Sequence, residues 1–321
     1  MADIFNPLVQ NTLKLPKRRA WIEIAKLAER DVIEEYKFEK LDGLNIKFSV
    51  ESCGFVFPTA NISVCNLSQD NIDYLMNFFA IPMNRSFANR VIRLYVGYDD
   101  TAKCIFEGNV VETSLTSPPD MWFNFKAIFR VDALYSSLKI SLNNELSIKE
   151  CYQAVADKLN MTLDWQATSE KKLACFVKDG SANNIFDELR KIDETVGMTV
   201  YSHFSGENNG IIRTYDVLQN NGEINNPDWV KRIKIAPNTG LLGVPKFNCF
   251  GGQISCVLNP NINYLDIVEL NNIYQKAGNG EYRVVKVTHT GELRGNEFKT
   301  VLDLFALYGR NTETSATNTQ K

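Results

Sequence analysis

His289 is the side chain best suited to proton transfer in this chain. It follows the apolar-rich run Val284–Thr288 and precedes Thr290-Gly291-Glu292. A general base needs an orienting partner and a substrate pocket. Asp303 or Glu292 offers the carboxylate, but no spacing brings either to the imidazole. The second histidine, His203, stands beside the polar run Ser205-Gly206-Glu207-Asn208-Asn209-Gly210 and reads as exposed. Asp99-Asp100 with Asp132 offers the two carboxylates that glycoside hydrolysis uses. A turn accounts better for the adjacent aspartates.

The remaining chemistry is thinner. The seven cysteines, Cys53, Cys65, Cys104, Cys151, Cys175, Cys249 and Cys256, are scattered with no C-x-x-C pair. With only two histidines they make no zinc set. They read as free, mostly buried thiols. No G-x-S-x-G elbow, Walker loop or H-E-x-x-H is present. Gly251-Gly252 sits between predicted strands and reads as a turn or bulge, not a phosphate loop. Trp122-Phe123-Asn124-Phe125 could stack on single strands, but basic residues follow only at Lys126 and Arg130. A filled β core explains it better. Lys plus Arg is 35 against Asp plus Glu 38, a net charge of −3. That balance argues against a general nucleic-acid binder and against steering to anionic membranes. The N-terminal stretch does not read as a secretory signal, and no run approaches the ~20 apolar residues of a membrane span. The expectation is a protein that is not an enzyme, with no catalytic, cofactor-binding or metal residues.

The elements that would position these residues are mostly strands. The chain has 321 residues, is 44% hydrophobic and 23% charged, an ordinary globular composition. Residues 1–19 read as an arm closed by Lys17-Arg18-Arg19, a solvated loop or a docking segment. From 20 to 140, Leu44, Ile46, Phe48 and Val50 recur at every second position, as do Ile92, Leu94, Val96 and Tyr98, the period of a half-buried strand. Ser68 can cap a short helix over 69–80. From 141 to 225 the pattern alternates between helix and strand. Ser147 and Glu150 form a capping box. Ser181 can cap a second helix through Ile185, Leu189, Ile192 and Val196, with Gly197 placed to end it. Residues 226–309 return to strands, with Asn279-Gly280 as a hairpin turn. Residues 310–321 read as a disordered tail. No short-period repeat is visible, and the two β regions show no clear identity.

Two blocks carry a family likeness. Residues 239–304 run TGLLGVPKFNCFGGQISCVLNPNINYLDIVELNN and then GNGEYRVVKVTHTGELRGNEFKTVLDL. Residues 62–111 carry ISVCNL, VIRLYVGYDD and IFEGNVV. In combination these resemble the hub proteins of long-tailed phage baseplates and the related N-terminal part of type VI secretion spike proteins. The resemblance implies an α+β, predominantly β fold: two tube-type antiparallel β-barrel-like domains, 20–140 and 226–309, with a small α/β module, 141–225, inserted between them. It also implies a homotrimer whose six β domains surround a channel and match a six-fold tail tube to a three-fold spike. The implied partners are the tail tube protein, the central spike protein and other baseplate proteins. Phage DNA would pass transiently, without stable nucleic-acid or membrane binding. The implied place is the virion, assembled in the host cytoplasm. Thr239, Gly240, Leu241, Leu242 and Gly243, a turn with two leucines between glycines, are the expected contact with another domain or subunit. The competing class is a carbohydrate-binding or adhesive tail-tip protein acting through Trp122.

Overall fold

The computed structural model describes residues 16–27, 36–54, 56–76, 90–131, 137–201, 210–217 and 229–307. Within them, alternation builds seven first strands: β1 (Arg18–Leu27), β2 (Tyr36–Leu41), β3 (Ile46–Cys53), β4 (Val56–Cys65), β5 (Val91–Tyr98), β6 (Lys103–Leu115) and β7 (Trp122–Ile128). Helix α1 (Gln69–Met76) lies between β4 and β5. One face of each strand is buried: Ile46, Phe48 and Val50 on β3, Ile62 and Val64 on β4, Phe123, Phe125 and Ala127 on β7. His203, Asp132 and the expected tail fall outside the described residues.

The middle of the chain switches period. It comprises β8 (Leu138–Leu142), β9 (Leu146–Ser147), α2 (Ile148–Lys158), β10 (Thr162–Asp164), β11 (Lys172–Leu173), β12 (Phe176–Gly180), α3 (Ala182–Ile192), β13 (Val196–Tyr201) and β14 (Ile211–Asp216). The capping box of α2 is present: Ser147 Oγ accepts from the Glu150 N–H, and Glu150 Oε2 accepts from the Ser147 N–H at 2.7 Å. These bonds hold the Glu150 carboxyl below its ordinary pKa. Helix α3 stops at Asp193, four residues before Gly197. Asp193 accepts from the backbone and hydroxyl of Thr195, which turns the chain out of the helix. Gly197 is instead a strand residue of β13, and a Cβ there would stand 2.4 Å from the Tyr215 ring.

The last part contains β15 (Arg232–Ile235), β16 (Leu241–Asn248), β17 (Gly251–Val257), β18 (Ile267–Leu270), β19 (Gly280–Glu292) and β20 (Phe298–Ala306). Asn279-Gly280 is not a two-residue turn. Leu270 pairs with Gly280, so the β18–β19 connection spans nine residues, 271–279. Asn279 pins that loop through its side chain, accepting from the Asn272 N–H at 2.6 Å and donating to the Asn272 carbonyl at 3.1 Å. Gly251 and Gly252 lie in β17, because a Cβ on Gly251 would meet the Leu304 carbonyl at 2.0 Å.

One sheet runs through both β parts in the order β16-β17-β20-β19-β3-β4-β7-β6-β5-β1-β2, with β18 on β19 and β15 on β18. The two parts share a connectivity. In the first, β3 pairs β4, β4 pairs β7, β7 pairs β6 and β6 pairs β5. In the second, β16 pairs β17, β17 pairs β20, β20 pairs β19 and β19 pairs β18. Each has a bulge at the same place, between Val110 and Glu112 and between Val284 and Lys286. A large core runs from Ala20 through the first β part and the α/β module to Ile212 and takes in Leu258 and Phe298 of the last part. A second, around Ile254, Val268, Val284 and Leu302, belongs to the last six strands. Tyr215, Tyr264 and Leu265 form a small third cluster between module and second part.

Lys17-Arg18-Arg19 does not close a loop. Arg18 and Arg19 begin β1, opposite Tyr98 and Gly97. Arg18 Nη1 donates to the Gly295 carbonyl at 2.6 Å, and its guanidinium lies 5.2 Å from the Phe298 ring centroid. All seven cysteines are free, but only Cys151 and Cys256 are fully buried. No described helix is long and apolar enough to cross a membrane.

Candidate assembly interface

Strand β19 is 13 residues long because it serves three neighbours. Its first residues pair with β18, its length pairs with β20, and Lys286–Glu292 pair with β3. That last pairing joins the two β parts edge to edge. Two ion pairs cross the join: Lys286 with Glu51 at 2.8 Å and Lys47 with Glu292 at 3.4 Å.

His289 sits in the join, opposite Val50. It is buried, and its Nδ1 lies 2.9 Å from Thr300 Oγ1. Burial pushes its pKa down to about 4, so the ring is neutral near neutral pH. The two carboxylates that the sequence offered without a spacing to bring them to the ring are engaged elsewhere: Asp303 accepts from Gln253 Nε2 at 2.8 Å, and Glu292 binds Lys47. The adjoining cavity, about 90 Å³, is lined by Ser52, Cys104, Tyr264 and His289 among others. Ligand pockets run to ~300–1,000 Å³. The geometry is that of a packed core histidine. No group of three or more potential metal ligands occurs among the described residues.

The face of the sheet turned away from the core is polar across the join. One cross-strand row reads Lys299, Thr290, Ser49, Asn61, Lys126 and Glu112, from β20 to β6. Trp122 belongs to this face, with the Lys47 ammonium 4.2 Å from its ring centroid. Phe123 and Phe125 point the other way and fill the core. The aromatic run is therefore divided between two faces and forms no stacking platform.

The turn at Thr239–Gly243 opens β16, the terminal strand of the sheet. Pro237–Thr239 form a 3-10 turn, and Thr239 Oγ1 accepts from the Ala236 N–H at 2.7 Å. Gly240 at φ +102° and Gly243 at φ +66° occupy left-handed backbone that favours glycine. The two leucines differ. Leu241 pairs with Cys256 on the core side and is partly buried against the second core. Leu242 is 40% exposed. Beyond it Val244, Phe247 and Phe250 are also exposed, so the edge is apolar. The join itself and the Arg18 clasp escaped sequence reading. The available signal was strand length: two 13-residue strands, β6 and β19, are longer than a single neighbour requires.

The sequence pattern of the family described as baseplate hub gp41 matches residues 32–303. No curated protein matches. Among solved structures, the 43 kDa tail protein of prophage MuSo2 from Shewanella oneidensis superposes with a TM-score of 0.57 at 7% identity, covering 91% of this chain and 97% of that one. A tail protein from Neisseria meningitidis MC58 gives 0.55 at 6% identity, covering 90% and 97%. The E. coli c3393 protein, a type VI secretion component with structural similarity to T4 tail proteins gp27 and gp5, gives 0.53 at 9% identity, covering 81% and 73%. These likenesses establish the fold, and the match over residues 32–303 establishes kinship: the chain belongs to the baseplate hub gp41 family of phage tail proteins.

Proposed function

We propose that this chain is a non-enzymatic ring subunit of the phage baseplate. Three copies close into a homotrimer, and the two β parts of each copy supply six β units around a channel. One side of the ring continues the tail tube, the other seats the central spike, and other baseplate proteins pack around it. The genome passes through during ejection, and assembly takes place in the host cytoplasm. The observation that carries this reading is the doubled connectivity: two β parts with the same strand pairing are joined edge to edge in one sheet. A ring built by continuing that sheet has the core, α1 and the α/β module on its outside. Its inner wall is then the polar row from Lys299 to Glu112. That row carries two lysines and one carboxylate among neutral polar residues, and the Lys286–Glu51 and Lys47–Glu292 pairs flank it, so the two signs of charge are mixed, which suits a lumen that passes DNA without holding it. Thr239–Gly243 lies at a contact with a second copy or partner. A head-to-tail contact must close on itself to give a ring and not a filament.

The test is the mass of the purified protein by light scattering, followed by imaging. One chain is 36.4 kDa. A particle of three chain masses with six lobes is expected. A monomer that persists when tube and spike proteins are co-expressed overturns the reading.

A further inference from the structure

The duplication also says which edges meet. This inference rests on the ring reading and deepens it by naming the strands and their register. Strand β6 is built like β19. Its first half pairs with β5 and its second half with β7, as β19 pairs first with β18 and along its length with β20. The difference is the remaining edge. On β19, residues Lys286–Glu292 are covered by β3. On β6, the edge after the bulge is covered by no strand among the described residues.

Strand β16 is built like β3: each forms a hairpin with the strand that crosses to β20 or β7. On β3 the outer edge is covered by β19, whereas β16 ends the sheet. Each β part thus has one donor strand and one acceptor edge. Within the chain a single donor and a single acceptor are used, leaving one of each.

The matching bulges set the register. Glu112 follows its bulge as Lys286 does, so Leu115 stands where His289 stands. Following the rows across the sheet, Lys246 opposes Gln253 as Ser49 opposes Asn61, so Phe247 stands where Val50 stands. His289 and Val50 face each other in the existing join, and both are buried. Leu115 and Phe247 are 43% and 37% exposed. Two apolar side chains at the positions that the inner join buries are out of place on a wetted surface.

We propose that β16 of a second copy of this chain pairs antiparallel with the free edge of β6, in the register by which β3 pairs with β19, with Phe247 of one copy facing Leu115 of the next. Asn248 then faces Ser114 and Lys246 faces Thr116. The bulged stretch at Gly243–Pro245 limits the new ladder to the end of β16. A proline and a bulge also blunt this edge against indiscriminate strand addition. The contact is head to tail, because donor and acceptor lie on different β parts.

Directly opposite residues of an antiparallel pair stand about 4.5–5.5 Å apart at Cα, within disulfide reach. The test is therefore the full chain carrying Leu115→Cys with Phe247→Cys, in a background with both exposed cysteines replaced, Cys175→Ser and Cys249→Ser, oxidised and run on a non-reducing gel. Covalent three-chain species are expected, with linkage lost in each single variant. An off-register pair, Leu115→Cys with Leu242→Cys, should link weakly or not at all. A trimeric mass without this linkage overturns the edge assignment and leaves the trimer standing. Linkage that runs on beyond three chains keeps the edge assignment and overturns the trimer. A chain that stays monomeric and unlinked at its highest soluble concentration overturns the pairing.

Discussion

Lys286 Nζ lies 2.8 Å from Glu51 Oε1, and the pair bridges the line where one β part is joined to the other. The hydrogen bond to Glu51 raises the lysine pKa above its ordinary value. Both side chains remain well exposed to water, so the pair contributes only ~0–1 kcal/mol. The join is held mainly by the ladder of backbone bonds and by the buried residues behind it, His289 and Val50.

A double-mutant cycle on Glu51→Gln and Lys286→Met should therefore return a coupling below about 1 kcal/mol that fades as salt is added. Urea unfolding at two ionic strengths measures it. A large, salt-independent coupling would show that the pair is desolvated and that the join depends on it.

His289 should make stability pH-dependent. An exposed imidazole has a pKa of about 6.5, and burial pushes this one down to about 4. Between those values the unfolded chain binds a proton that the folded chain refuses, so stability falls as pH drops through the window and is unaffected above it. The loss across the window is on the order of 3 kcal/mol. His289→Asn, which cannot titrate, should flatten that fall relative to the parent protein. Asp266, whose pKa is raised chiefly by burial, gives the opposite slope in both proteins and cancels in the comparison. Parallel urea-midpoint curves for the two proteins would refute the assignment.

The leucines of the Thr239–Gly243 turn should separate folding from assembly. Leu241→Asp puts a carboxylate against the second core and should lower the melting temperature of the isolated chain. Leu242→Asp changes an exposed side chain and should leave stability within about 0.5 kcal/mol while reducing the assembled fraction. Thermal melts and light scattering on the two variants read the two effects. Unchanged assembly in Leu242→Asp would remove the turn from the contact.

Gly251 should tolerate no side chain. A Cβ there stands 2.0 Å from the Leu304 carbonyl, a backbone atom that cannot swing aside. Gly251→Ala forces β17 and β20 apart and should cost about 1–3 kcal/mol. Wild-type stability in that variant, measured by urea unfolding, would mean that the strands separate freely.

The α2 capping box should be worth its usual amount. Ser147→Ala removes the hydroxyl that accepts from the Glu150 N–H and should destabilise by about 1 kcal/mol. Circular dichroism during thermal unfolding checks it, and a change within error would show that the tertiary contacts of α2 carry the helix alone.

Local features were legible in the chain. Period-two alternation located β3, β5 and β7, and Ser147-x-x-Glu150 marked the start of α2, because side-chain direction and capping depend on neighbours a few residues away. The paired blocks at 62–111 and 239–304 pointed to the family. Tertiary structure alone decided that β3 lies beside β19, that Arg18 reaches Gly295 across 277 residues, that Asn279 pins a nine-residue loop, and that the two β parts repeat one connectivity without shared sequence. Alternation tells a strand which face to bury but not which strand to join. Backbone ladders are indifferent to side-chain identity, so partner choice is settled only when distant segments compete for the same edges.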